Sequence, residues 1–137
     1  MPNDSHLADH PAVVYACYDQ DGDIIYFGDY SATLFALDIT TGQSLWSFQA
    51  EEGRIKAAPV LVGNTVVFAT DRAVVYFIDA DSGTMRNRVP LQNAGRVRAN
   101  LTAHDGHAYV VGTRGTLFRA DPESLTVVEV PITRPGS

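Results

Sequence analysis

The chain has 137 residues, 45% of them hydrophobic and 19% charged, with 10 Lys and Arg against 16 Asp and Glu for a formal net charge of −6. That length is ordinarily one domain able to bury a core, and that charge argues against nucleic-acid binding through a basic surface. The single cysteine, Cys17, excludes an intrachain disulfide, and no apolar run approaches the roughly 20 residues of a membrane helix.

The chain opens on the polar stretch Met1-Pro2-Asn3-Asp4-Ser5-His6, without the basic start and apolar core of a secretory signal. A short strand holding Cys17 then leads into Asp19-Gln20-Asp21-Gly22-Asp23, a tight-turn signal, and into the apolar run Ile24 to Phe27. Ser31 to Leu37 is the best helical candidate and is too short; no other segment keeps a 3.6-residue apolar period for three turns. The middle of the chain reads as strands over 57–62, 65–70, 74–78 and 84–89, separated by Gly-Asn and Ser-Gly pairs.

These elements repeat. Gly22-Asp23-Ile24-Ile25-Tyr26-Phe27-Gly28 returns 41 residues later as Gly63-Asn64-Thr65-Val66-Val67-Phe68-Ala69, and 43 further on as Gly106-His107-Ala108-Tyr109-Val110-Val111-Gly112. Asp38, Asp79 and Asp121 follow at offsets of 41 and 42. Gly53-Arg54-Ile55-Lys56-Ala57 matches Gly95-Arg96-Val97-Arg98-Ala99, again 42 apart. The implied units run over 11–50, 53–90 and 95–132 within one domain spanning 1–137.

An antiparallel sheet with one wet face alternates apolar and polar residues. Here the runs Ile24–Phe27, Val66–Ala69, Val74–Ile78 and Ala108–Val111 are apolar on both faces. With no helices to cover them, the sheets must stack on one another. Four-stranded antiparallel sheets of about 41 residues, stacked face to face, are β-propeller blades. The fold class expected is therefore all-β, a partial or open propeller with three blades present.

The segment Ala36-Leu37-Asp38-Ile39-Thr40-Thr41-Gly42-Gln43-Ser44-Leu45-Trp46 resembles the tryptophan-docking motif of the quinoprotein-like (PQQ-type repeat) β-propeller family, Ala-x-Asp-x-x-Thr-Gly-Lys-x-x-Trp, through Ala36, Asp38, Thr41, Gly42 and Trp46. Gln43 replaces the usual Lys. The second unit keeps Asp79, Ser82 and Gly83 and has Asn87 at the Trp position; the third keeps Ala120-Asp121 but has Leu125 for Gly and Glu129 for Trp. The resemblance implies that Trp46 packs against the neighbouring blade, and that the turn is held by Asp38, Thr41 and a left-handed Gly42.

Several residues invite chemistry. A calcium loop over Asp19–Asp23 would need Gly at its sixth position and Glu at its twelfth, where this sequence has Ile24 and Tyr30; an Asp-Gly turn fits better. His104 and His107 fall in a turn with no nearby Cys or His to complete a metal site, and His6 and His10 lie far off in sequence. Cys17 lacks a basic neighbour that would make it reactive. The basic pairs Arg54/Lys56 and Arg96/Arg98 sit before or at the start of the innermost strand of successive units. There they would line the axial mouth and attract an anion or an acidic partner. The same pattern fits a solvated, salt-bridged entrance segment, and the first unit has no basic counterpart.

No catalytic, cofactor-binding or metal site is expected from these residues. The resemblance implies a non-catalytic scaffold that holds other proteins, as in repeat proteins of bacterial envelopes. It also implies a periplasmic, outer-membrane-associated or extracellular location. Further blades or a second copy of the chain are the expected partners of the outer blades. Two alternatives are a fragment of a PQQ-dependent dehydrogenase and the ligand-sensing propeller of a membrane receptor or kinase.

Overall fold

The computed structural model describes residues 15–29 and 31–132. The beginning of the first unit at 11–14, His6, His10 and Tyr30 lie outside the described residues. Twelve strands follow one another: β1 (Tyr15–Tyr18), β2 (Ile24–Gly28), β3 (Thr33–Asp38), β4 (Gln43–Gln49), β5 (Val60–Val62), β6 (Thr65–Ala69), β7 (Val74–Asp79), β8 (Met85–Pro90), β9 (Thr102–His104), β10 (His107–Val111), β11 (Leu117–Asp121) and β12 (Thr126–Val130). They form three four-stranded sheets, each a meander of sequential antiparallel neighbours. No helix occurs among the described residues.

The short strands β1, β5 and β9 stand side by side, with β5 touching both of the others. The sheets therefore stack around a common inner edge as propeller blades do. This arrangement has two ends. The turns between first and second strands and between third and fourth strands share one end, called the turn end below. The turns between second and third strands share the other with the connections 50–59 and 91–101, the connection end.

Two apolar layers separate the three blades. Tyr26, Leu34, Ala36 and Phe48 of blade one meet Val66, Phe68, Tyr76 and Ile78 of blade two. Val67, Ala69, Val75 and Phe77 of blade two meet Ala108, Val110, Phe118 and Ala120 of blade three. Every residue of β6 is buried, as is β7 apart from Asp79. This accounts for their doubly apolar sequence. At 25 cal/mol per Å2 such burial stabilises by roughly 1.5–3 kcal/mol per large side chain. In blade three only alternate residues are covered: Ala108 and Val110 are buried in β10, while Val111 is 44% exposed. The doubly apolar pattern thus predicts two covered faces, and among the described residues blade two has both.

Two details of strand pairing depart from the sequence reading. Residues 57–59 lie outside β5 because Pro59 has no N–H for the ladder. The backbone there turns to the next blade: Ala58 N–H donates to Asn100 Oδ1 and its carbonyl accepts from Leu101 N–H. The second departure concerns bulges. Blades one and two each carry a register shift between third and fourth strands, so that Trp46 opposes Ala36 and Asn87 opposes Phe77. Blade three has no shift, and Arg119 opposes Val128. With a side-chain period of two, one residue of register reverses the face. Val128, not Glu129, therefore occupies the place of Trp46 in blade three.

Candidate functional site

The turn around Gly42 is assembled by its own side chains. Asp38 Oδ1 accepts hydrogen bonds from the backbone N–H groups of Thr40 and Thr41 and from the Thr40 hydroxyl. These bonds, the Thr40 hydroxyl first, hold the Asp38 carboxyl below its ordinary 3.8. Thr41 Oγ1 accepts from Gln43 N–H, and Gly42 takes φ +77° while donating its N–H to the Asp38 carbonyl. Ala36 is fully buried against blade two.

From this hairpin Trp46 reaches across to the corresponding turn of blade two. Its Nε1–H donates to the Ala80 carbonyl at 2.9 Å, and its ring lies against Gly83, where a Cβ would come within 2.6 Å of Cδ2. Tyr26 packs on its other neighbourhood at a centroid distance of 6.0 Å. At the equivalent place one blade on, Asn87 Nδ2 donates to the Leu125 carbonyl at 2.8 Å. A smaller side chain makes the same kind of cross-blade bond, which the loss of Trp in the second unit does not suggest.

The connection end gathers the basic pairs. Arg54 and Lys56 alternate with buried Ile55 and Ala57, and Arg96 and Arg98 flank buried Val97. Between the two connections stands Asp71, only 6% exposed. Its Oδ1 accepts the Arg54 N–H at 2.9 Å, and its Oδ2 lies 3.8 Å from Lys56 Nζ and 3.5 Å from Arg96 Nη1. One carboxylate thus ties two successive connections together. Arg98 is exposed and forms no salt bridge with another described residue. In blade three Thr113 takes the corresponding role, its hydroxyl accepting the Arg96 N–H. The signal for Asp71 was available: Asp29, Asp71 and Thr113 recur at offsets of 42, the same period as the units.

At the turn end, Arg86 donates to Thr65 Oγ1 at 2.7 Å and to Asp79 Oδ2 at 2.6 Å. The Arg86 bond, with backbone N–H groups of Ser82 and Asp81, lowers the Asp79 carboxyl to about 2. His104 and His107 oppose each other across the β9–β10 turn, with His107 Nε2 3.9 Å from Asp121 Oδ2. Asp19 anchors the first turn by accepting the N–H groups of Asp23 and Ile24. No group of three or more His, Cys, Asp and Glu placed for a metal ion occurs among the described residues. Burial pushes the Cys17 thiol up to about 12.

Stacked four-stranded meanders, a common inner edge and a 41–43-residue period define a β-propeller repeat protein. Residues 31–128 match the family model described as Outer membrane protein assembly factor BamB, and the chain belongs to that family. Among curated relatives, the Outer membrane protein assembly factor BamB of Burkholderia pseudomallei (strain K96243) is 30% identical over 95 residues, covering 69% of this chain and 24% of the relative. The protein of the same name from Legionella pneumophila (strain Paris) is 25% identical over 117 residues, covering 85% of this chain and 30% of the relative. The chain thus spans less than a third of the length of these relatives.

Solved structures agree on the fold. BamB from Moraxella catarrhalis superposes with a TM-score of 0.58 at 16% identity, covering 84% of this chain and 52% of that one. The RRP9 WD40 repeats superpose with a TM-score of 0.71 at 15% identity, covering 83% and 35%.

Proposed function

We propose that this chain is a non-catalytic scaffold module that holds other proteins during outer-membrane protein assembly in the bacterial envelope. The match of residues 31–128 to the assembly-factor family carries this reading. In it, Trp46, set by Ala36, Asp38, Thr41 and Gly42, docks blade one on blade two, and the units run over 11–50, 53–90 and 95–132. The exposed turns and connections present the binding surface. The outward face of blade three, with Val111, Leu117, Arg119 and Val128, receives a further blade of the same kind.

Photo-cross-linking in envelope-bearing cells tests the reading. A cross-linkable residue is placed at Thr40 or Ser82 on the turn end, or at Arg98 on the connection end, of the full chain. Discrete cross-links to outer-membrane assembly proteins from either end support a scaffold. No cross-link from any of the three positions, with the chain folded and exported, overturns it.

A further inference from the structure

The charges of the three blades are sorted by end. The connections carry Arg54, Lys56, Arg96 and Arg98, and the turns between second and third strands add Arg72 and Arg114. Among the described residues, the acids at that end are already engaged. Asp29 caps its own turn through Ser31 and Thr33. Glu51 and Glu52 pair with Arg88, and Asp71 with Lys56 and Arg96.

The turn end is the reverse. Its first turn holds Asp19, Asp21 and Asp23, and its later turns hold Asp38, Asp81, Asp105, Asp121 and Glu123. Arg86 is the cation among the described residues there, and it is bonded to Asp79. Strands of five to seven residues separate the ends by roughly 16–23 Å. That is more than the roughly 8 Å over which exposed charges act at physiological ionic strength. The net charge of −6 therefore conceals a basic end that attracts independently of the acidic one.

We infer that the connection end docks an extended acidic segment of a partner protein. This deepens the scaffold reading and rests on it. Burial of Val97 leaves Arg96 and Arg98 on the solvent side of one connection, with Arg96 54% exposed even as it reaches Asp71; in the other connection, Lys56 is 30% exposed beside the same carboxylate. Alternate residues of an extended chain are about 6.6 Å apart, so carboxylates at every second position of a partner strand match that spacing. A bilayer fits less well. Among the described residues, the exposed large apolar side chains at this end are Val111 at the end of β10 and Ile132 beyond β12, both in or after blade three; the connections that carry the cations bear none.

The test is a fluorescence anisotropy titration of the full chain with a labelled peptide of alternating Glu and Ser. Saturable binding is expected, weakened at least about tenfold by Arg72→Glu/Arg98→Glu and lost in about 0.5 M salt. Asp21→Lys/Asp81→Lys at the turn end leaves it unchanged. If the reversal variant does not fold, Arg72→Gln/Arg98→Gln is expected to give a smaller loss with an unaltered melting temperature. Binding absent from the native chain, or indifferent to these substitutions, overturns the inference, as does tighter binding to phosphatidylglycerol vesicles than to the peptide. Cross-links from Thr40 or Ser82 that persist alongside a negative peptide titration leave the scaffold standing and remove only the acidic docking site. No cross-link from Thr40, Ser82 or Arg98 removes the scaffold, and the acidic docking site with it.

Discussion

The indole of Trp46 occupies the space that a side chain at Gly83 would need, with an added Cβ only 2.6 Å from Cδ2. Gly42 and Gly83 both have φ +77°, yet nothing lies within 4 Å of a Cβ at Gly42. The pair thus separates backbone strain from inter-blade contact. Gly42→Ala is expected to cost about 1 kcal/mol, from the left-handed conformation alone, and Gly83→Ala distinctly more. In a Trp46→Ala background the two glycine substitutions should become equivalent. Urea titration of this double-mutant cycle checks it, and equal costs in the native background would show that Trp46 moves aside freely.

Trp46→Ala itself is expected to cost about 2–4 kcal/mol, somewhat under the loss for a fully enclosed aromatic because the ring is half-buried. Trp46→Phe keeps much of the apolar contact and loses the bond to the Ala80 carbonyl, for about 1 kcal/mol. Denaturant titration of both variants is the measurement. A loss below about 1 kcal/mol for Trp46→Ala would make the residue peripheral to blade packing.

Asp71 offers a comparison between two of its roles. Asp71→Ala removes a buried acceptor and leaves the Arg54 N–H without its partner, at about 2–3 kcal/mol. Asp71→Asn retains an oxygen for that N–H and forfeits only the attraction to Lys56 and Arg96, so the loss is smaller and shrinks with added salt. Equal losses in thermal denaturation would assign the stability to the ion pairs instead.

The turn carboxylates set the acid limb of stability. Asp79 is held at about 2 in the folded chain, below its ordinary 3.8. A depressed folded value contributes stability above pH 3.8 that is lost as the pH falls through about 2. Asp38 and Asp121 shift in the same direction. The melting temperature is therefore expected to decline over that window, and Asp79→Asn to flatten the decline while lowering the plateau near neutral pH. An unchanged acid limb in Asp79→Asn would contradict this.

Only a thiolate alkylates readily, and burial holds Cys17 protonated well above neutrality. Iodoacetamide at pH 8 should leave the native chain unmodified over a time that fully modifies it in denaturant. Mass spectrometry reads the difference directly.

The outward face of blade three predicts association. Val111 and Val128 are 44% and 45% exposed on a face that, in blades one and two, packs against the next blade. Light scattering of the full chain across a dilution series is expected to show masses above the monomer, and Val111→Glu/Val128→Glu to restore the monomer. A monodisperse native monomer at high concentration would mean that this face tolerates water.

The blades themselves were legible in the sequence, because each is built from contacts close along the chain. Asp38, Asp79 and Asp121 mark turns whose hydrogen bonds are local, so their offsets of 41 and 42 report the strands directly; Gly106 stands one place later in its turn than Gly63, so the glycine offset of 43 overshoots the strands by one residue. The turn closed by Asp38, Thr41 and Gly42 was readable for the same reason, its bonds running between near neighbours in the chain. What the tertiary structure decided lies between the blades. A bulge present in two hairpins and absent from the third puts Val128 rather than Glu129 on the outward face. Asn87 finds the Leu125 carbonyl 38 residues away, and Arg96 and Lys56 converge on Asp71 from different connections. Register and cross-blade pairing depend on how neighbouring sheets meet, and the residues of any one unit hold no record of that meeting.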